Sequence, residues 1–252
     1  MAKQTRSQQK RAPSVHASRE EKRNQLSKRS FDEKFEDERG GKIVNIVPKN
    51  EAQEDFLEVM RDCQICIGRG SAGVGKSFLA ATYAANEYLR NSGLSLYISR
   101  PYVPMGRSVG LLPGTAEEKI SPFLVPITSV LKKQLGKKYE TDFGTNINIQ
   151  LIEAIRGLDL ENAILIIDEA QNLTVEEMKS VVTRLSRGGK IILIGDTLQS
   201  DLKKGESGLD WLIYMVDKYD IKGVDWVDFK PEHCVRSGIV RDFLFAFDEE
   251  GV

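Results

Sequence analysis

Apolar residues in this chain gather in short unbroken runs rather than in alternation. Ile164-Leu165-Ile166-Ile167 and Lys190-Ile191-Ile192-Leu193-Ile194 read as strands of a parallel sheet buried on both faces. Gln64-Ile65-Cys66-Ile67-Gly68, Leu94-Ser95-Leu96-Tyr97-Ile98 and Val224 to Phe229 have the same look. Helical stretches lie between them. Asn50 caps a predicted helix over Glu51 to Arg61, with Phe56, Leu57 and Met60 on one face. Phe78 to Arg90 is rich in Ala and Leu, lacks Pro and Gly, and ends at Asn91-Ser92-Gly93. A further helix starts near Ala116 and resumes after Pro122 to about Leu135. Thr174 caps one predicted to reach about Arg187, with Glu176 and Glu177 in its first turn and Gly188-Gly189 after it. Leu209 to Val216 and Ile239 to Phe247 read as two more. Ile43, Val44, Ile46 and Val47 form a short apolar run closed by Pro48. The pattern weakens from Gly136 to Gln150, which suggests a surface insertion or hairpin, and Leu151 to Leu158 fits a short helix or a strand. Strands alternating with helices predict an α/β fold with a mostly parallel, doubly wound sheet.

Composition bounds this picture. The 252 residues suffice for one α/β domain and a tail. Lys and Arg number 36 against 37 Asp and Glu, so any basic surface is local. No apolar run reaches the roughly 18 residues of a membrane span, and the first residues lack the apolar stretch of a secretory signal. Residues 1 to 41 are expected to form a disordered arm, with the folded domain over 42–252. Up to Ser30 the arm holds nine Lys or Arg against Glu20 and Glu21, and it turns acidic from Asp32 to Glu38. Such a segment buries too little to offset its ordering entropy, and its basic part could touch phosphates or simply stay solvated. The three cysteines, Cys63, Cys66 and Cys234, fit reduced thiols in a cytoplasmic setting. Cys63 and Cys66 have C-x-x-C spacing. A zinc site would need two more ligands, however, and only Cys234 beside His233 offers any. They read instead as small apolar residues flanking a strand.

The chemistry lies at the ends of the runs. Gly70-Ser71-Ala72-Gly73-Val74-Gly75-Lys76-Ser77 fits the phosphate-loop pattern G-x-x-x-x-G-K-[ST] at every fixed position, between a predicted strand and a predicted helix. Its glycines let backbone N–H groups wrap a phosphate, Lys76 offers a point charge, and Ser77 can join a Mg²⁺ shell. The helix after it points its positive end at the same anion. Ile164 to Ile167 runs into Asp168-Glu169, where Asp168 would hold Mg²⁺ through its water shell and Glu169 would orient or deprotonate the attacking water. That second carboxylate favours a hydrolase over a small-molecule kinase. Gln199, after Gly195-Asp196, is placed to sense the γ-phosphate. Arg100, Arg156, Arg184, Arg187 and Arg236 are the candidates for an arginine that meets the developing charge. Arg100-Pro101 opens a long loop, Tyr102 to Thr115, on the edge where α/β sheets bind ligands.

Taken together, Gly70 to Ala80, Arg100-Pro101, Leu111-Leu112-Pro113-Gly114, Glu118-Lys119, Pro122, Pro126 and Arg156-Gly157 resemble the PhoH-like ATPase family. So do Asp168-Glu169-Ala170-Gln171-Asn172, Thr183-Arg184, Gly195-Asp196 with Gln199 and Asp201, and Gly208-Leu209. The likeness covers roughly Pro48 to Phe247. It implies a single RecA-type P-loop core related to superfamily-1 helicases, hydrolysis of ATP with Mg²⁺, and a role on RNA or single-stranded nucleic acid. Gln53 resembles the family's adenine-reading glutamine, and Arg236 its C-terminal arginine. Ser237 follows where relatives often have His. Small cores of this kind are frequent in phage genomes. One core where a helicase has two implies a homo-oligomer such as a hexameric ring, with the Arg100 loop or Arg236 approaching a neighbour's ATP. The rival reading is an ATP-dependent switch that binds protein partners and does no work on nucleic acid.

Overall fold

The computed structural model describes residues 41–101, 116–203 and 205–250. The predicted arm, apart from Gly41, and the loop from Tyr102 to Thr115 with its Leu-Leu-Pro-Gly segment lie outside them. Six strands form one sheet in the order β3-β2-β4-β5-β1-β6: β1 Ile65–Gly70, β2 Ser95–Ser99, β3 Ile147–Ile149, β4 Ala163–Ile167, β5 Lys190–Gly195 and β6 Val224–Phe229. Every pairing is parallel. The helices are α1 Glu51–Asp62, α2 Lys76–Arg90, α3 Ala116–Ile120, α4 Val125–Leu135, α5 Lys137–Asp142, α6 Ile152–Ile155, α7 Val175–Val182, α8 Gly208–Tyr219 and α9 Gly238–Glu250.

The unbroken apolar runs follow from two covered faces. Successive strand residues point to opposite sides. Cys66, Leu96, Ile98, Ile164, Ile166, Ile192 and Ile194 therefore meet one core with Phe56 and Met60 of α1, Leu79 and Ala84 of α2, and Leu131 of α4. Ile65, Ile67, Leu165, Ile167, Ile191 and Leu193 meet a second core with Met178 and Val181 of α7 and Leu209 and Leu212 of α8. Each fully buried aliphatic side chain of this kind contributes about 1.5–3 kcal/mol. This is the doubly wound α/β fold that the pattern predicted.

Local chemistry sets the ends of the elements. Asn50 Oδ1 accepts the Gln53 N–H at 3.0 Å and starts α1. Thr174 and Glu177 form a reciprocal capping box on α7. Gly41 is buried against Leu89, and Lys42 N–H donates to Gln134 O at 3.0 Å, so the first described residues already pack on the domain.

Two expectations need correction. Helix α7 stops at Val182 rather than near Arg187. Beyond it, Arg184 O accepts from Leu160 N–H and Arg187 O from Asn162 N–H, each at 2.9 Å. The carbonyls of Arg184 and Arg187 thus serve the chain leading into β4 instead of continuing a helix. The unassigned stretch 136–150 holds a helix and an edge strand. Lys138 and Asp142 pair at 3.3 Å on α5, and Tyr88 Oη donates to Asp142 at 2.5 Å. Strand β3 pairs with β2 alone and has only three residues, too few for a readable period.

Candidate functional site

The phosphate loop leaves the carboxyl end of β1, in the middle of the sheet. Gly70 has φ +114, and a Cβ there would sit 2.0 Å from Phe229 O. Only glycine lets the loop run this close to β6, and the approach allows Ser71 N–H to donate to Phe229 O at 2.9 Å. Gly73 (φ +74) and Gly75 (φ +93) keep the turn left-handed before α2 begins at Lys76. Val74 is buried inside the loop, Ala72 is exposed, and Ser77 is half-buried in the first turn of α2. Lys76 Nζ donates to Gly70 O and, at 2.7 Å, to Ser71 O, so the ammonium lies inside the loop's curve. Burial lowers its pKa, while the nearby carboxylates of Asp196, Asp168 and Glu169 oppose that shift.

Two predicted residues brace the loop from outside. Gln53 is buried; its Nε2 donates to Val74 O at 2.8 Å and its Oε1 accepts the Lys49 N–H at 2.9 Å. The amide thus ties α1 to the loop, with one N–H and one lone pair left for any adenine. Arg236 is exposed and lies across Gly73, its Cδ 3.1 Å from where a Cβ would stand. Val235 N–H donates to Gly73 O at 3.1 Å. This arginine therefore reaches the phosphate loop of its own chain.

The acidic half sits where β4 ends beside β2 and β5. Asp168 N–H donates to Ser99 O at 3.0 Å, and Glu169 takes a left-handed conformation, φ +53, uncommon for a residue with a side chain. Burial and the adjoining Glu169 raise the Asp168 pKa, against Arg100 and Lys76, which lower it. Glu169 is held on both oxygens: Arg100 Nη2 lies 3.6 Å from Oε1, and Gln171 Nε2 donates to Oε2 at 2.6 Å. Gln171 Oε1 in turn accepts the Asp196 N–H at 3.0 Å, which joins the end of β4 to the end of β5. Exposed Gln199 donates through Nε2 to Asp196 Oδ2 at 3.1 Å.

Lys76, Asp168, Glu169, Gln199 and the loop are thus brought to one edge of the sheet. Arg184 and Arg187 are not, since their backbones flank the start of β4, the opposite end. Arg156 offers its carbonyl to Arg184 Nη1 at 3.2 Å. Gln171 and Asp196 were absent from the predicted site residues, although both fall in the polar segments that follow the apolar strands; those segments were the available signal. Asn172 and Asp201 exchange two bonds, of 3.1 and 2.8 Å, and lock the same region. For the metal, the fit is one of donor chemistry. Ser77 and Asp168 are both hard oxygen donors. That suits Mg²⁺, which keeps waters and substrate phosphates as most of its ligands. Cys66 is buried and donates to Val59 O and Cys63 O at 3.4 and 3.3 Å.

A central phosphate loop on a parallel sheet, faced by a strand ending in Asp-Glu, defines a RecA-like P-loop NTPase core. The large terminase of a thermophilic bacteriophage shares the fold, with a TM-score of 0.50 at 14% identity, over 77% of this chain and 48% of that one. The family follows from sequence comparison. Residues 45–248 match the model of the PhoH-like protein family, and the chain belongs to that family. Protein PhoH of Escherichia coli strain K12 is 33% identical over 208 residues, 80% of this chain and 58% of that protein. The PhoH-like protein of Bacillus subtilis strain 168 is 32% identical over 244 residues, 94% of this chain and 74% of that protein. The chain therefore spans less than two thirds of the Escherichia coli relative. Among the described residues no helix is long and apolar enough to cross a membrane.

Proposed function

We propose that this chain is an ATP hydrolase that uses Mg²⁺ and couples turnover to movement on, or remodelling of, RNA or single-stranded nucleic acid. The observation that carries the reading is that β5 pairs with both β1 and β4, so that the phosphate loop with Lys76 and the Asp168-Glu169 pair leave the same edge of the sheet, near enough for their charges to act on one another. In this reading the N–H groups of Gly70 to Ser77 cradle the β- and γ-phosphates, and Lys76 turns from its loop carbonyls to the phosphate oxygens. Ser77 and Asp168 would hold the metal, which when bound neutralises charge building on the phosphates. Glu169 accepts from the attacking water and sets its line of approach, while Gln171 keeps the carboxylate aimed. Gln199, bonded to Asp196, would register loss of the γ-phosphate, and Gln53 would read adenine beside the loop.

Arg236 and Arg100 reach the site of their own chain. Of the two, Arg236 over the phosphate loop is the one placed to meet the developing charge without a neighbouring copy, while Arg100 is taken up by Glu169. A homo-oligomeric ring, in which the loop that Arg100 opens or Arg236 approaches the ATP of a neighbouring copy, remains part of the proposal. Full ATPase activity from a monomer in analytical ultracentrifugation would overturn the ring. The switch reading draws on α9, where Ile239, Phe243 and Phe247 are exposed at a spacing that a partner protein could cover. The ATPase rate with and without single-stranded RNA or DNA separates the two. Several-fold stimulation is expected, and an unchanged rate would favour the switch.

A further inference from the structure

At the β3 end of the same sheet edge lies a cavity of about 370 Å³, lined among others by Ser121, Pro122, Phe143, Asn148, Ile149 and Glu118. Ile149 is the last residue of β3, and the backbone then locks onto β2. Gln150 N–H donates to Ile98 O at 2.9 Å, and Ser99 Oγ donates to Gln150 O at 2.7 Å. Arg100 leaves β2 at this junction. On one side its guanidinium is held by the turn that walls the cavity: Nη1 donates to Phe123 O at 3.4 Å, and the group lies 5.4 Å from the centroid of the Phe123 ring. On the other side it pairs with Glu169 Oε1 at 3.6 Å. One side chain therefore spans the gap between the cavity wall and the hydrolytic carboxylate.

We propose that the cavity takes one base of a single-stranded nucleic acid, and that Arg100 reports its occupancy to Glu169 through the Phe123 turn. The inference rests on the nucleic-acid ATPase reading above and assigns it a site and a coupling element. The lining suits a base. Pro122 and Ile149 are apolar walls, and Phe143 is a half-exposed ring (46%) available for stacking. The Ser121 hydroxyl and the Asn148 amide, whose Nδ2 also donates to Thr145 O at 2.6 Å, can bond a base edge. The apolar walls and the ring favour a base over a charged backbone phosphate in this space. The volume lies within the roughly 300–1,000 Å³ of small-ligand sites.

The coupling follows from the state of Glu169. Arg100 engages one of its oxygens and Gln171 the other, so neither is left wholly to a water. A base pressed against Pro122 displaces the turn over Ser121–Leu124, and Arg100, anchored to it at Phe123, moves with it. Glu169 Oε1 is then free to accept from the attacking water. The Arg100–Glu169 pair is suited to such release because both side chains are partly exposed, 27% and 34%, and exposed ion pairs are weak.

The test uses the full chain, a fluorescent oligoadenylate, and an abasic sugar-phosphate strand of equal length. Binding is read by anisotropy and turnover by phosphate release. Phe143→Ala is expected to weaken oligoadenylate binding about ten-fold and to shift the half-stimulating concentration equally. The abasic strand should stimulate little. Arg100→Ala is expected to raise the rate without nucleic acid several-fold, towards the stimulated wild-type rate, and to flatten the response to oligoadenylate. Arg100→Lys, which keeps the charge but not the forked geometry, should fall between. Thermal melting checks that each variant is folded. If wild type neither binds nor responds to oligoadenylate, the nucleic-acid reading itself falls. Wild type that responds, with Phe143→Ala binding normally or the abasic strand stimulating equally, removes the base site alone. An Arg100→Ala rate at or below wild type without nucleic acid removes the restraint.

Discussion

Gln171 and Glu169, two residues apart at the end of β4, are joined by a 2.6 Å bond from the amide nitrogen to the carboxylate, and the same amide accepts the Asp196 N–H at 3.0 Å. The carboxylate assigned to the water is thus aimed by a fully buried side chain whose other end is fixed to β5. Gly195 makes room for it, since a Cβ there would stand 2.3 Å from Gln171 Oε1.

Gln171→Leu should keep ATP binding and lose turnover about ten-fold, a fraction of the roughly hundred-fold or greater contribution of a complete general base. It should also cost about 1–3 kcal/mol of stability, because the buried Asp196 N–H loses its partner. Phosphate release and urea denaturation measure the two effects. Normal turnover in a destabilised variant would reduce Gln171 to a structural tie.

Glu169→Gln should bind ATP within a few-fold of wild type and hydrolyse it about 10²–10⁴-fold more slowly, since metal and phosphate contacts survive while the water loses its carboxylate. Lys76→Ala should lose binding itself. Calorimetric titration with ATP, followed by turnover assays, distinguishes the pair. A Glu169→Gln variant that turns over normally would refute the assignment.

Gly70→Ala should destabilise the fold by about 3 kcal/mol or more, as a backbone oxygen blocks its Cβ at 2.0 Å. Gly144→Ala is the control. Its φ is also positive, +82, but nothing stands within 4 Å of the added carbon. It should cost only about 1–2 kcal/mol of backbone strain. Equal denaturation midpoints for the two variants would contradict the close approach of the loop to β6.

Stability should fall as pH rises above about 9. Burial pushes the Cys66 thiol from 9.0 up to about 12, with Lys190 opposing, and burial also raises Tyr83. Between the unfolded and folded values the native state binds a proton that the unfolded state has released, so the slope of stability with pH is negative there. For Cys66 this amounts to about 1.4 kcal/mol per pH unit at most. Cys66→Ala should flatten the decline between pH 9 and 12, as read from denaturation midpoints. In native protein at pH 8, an alkylating reagent should spare Cys66 while reaching the partly exposed Cys63 and Cys234.

Much of the fold is legible in the sequence. Val224 to Phe229 was predicted with the observed limits, and α1, α2, β4 and β5 within a residue or two. These elements have apolar runs or an explicit cap such as Asn50. The misses share a cause. Strand β3 has three residues and no period, and α7 ends early because distant backbone donors at Leu160 and Asn162 claim the carbonyls of Arg184 and Arg187.

The chain's order by itself determined the phosphate loop, the Asp168-Glu169 pair and the two-faced sheet, because each is written in contiguous residues whose backbone needs and apolar periods are local. The tertiary structure alone decided who holds Glu169. Strand β2 lies beside β4, and β4 beside β5, a neighbourhood the linear order does not state. That arrangement brings Arg100 from one flank and Asp196, through Gln171, from the other. It also lays Arg236 over Gly73 of its own chain, since β6 packs against β1 and delivers the following segment to the loop. Contacts of this kind depend on strand order and on which carbonyls go unpaired elsewhere, and both are settled only when the whole sheet closes.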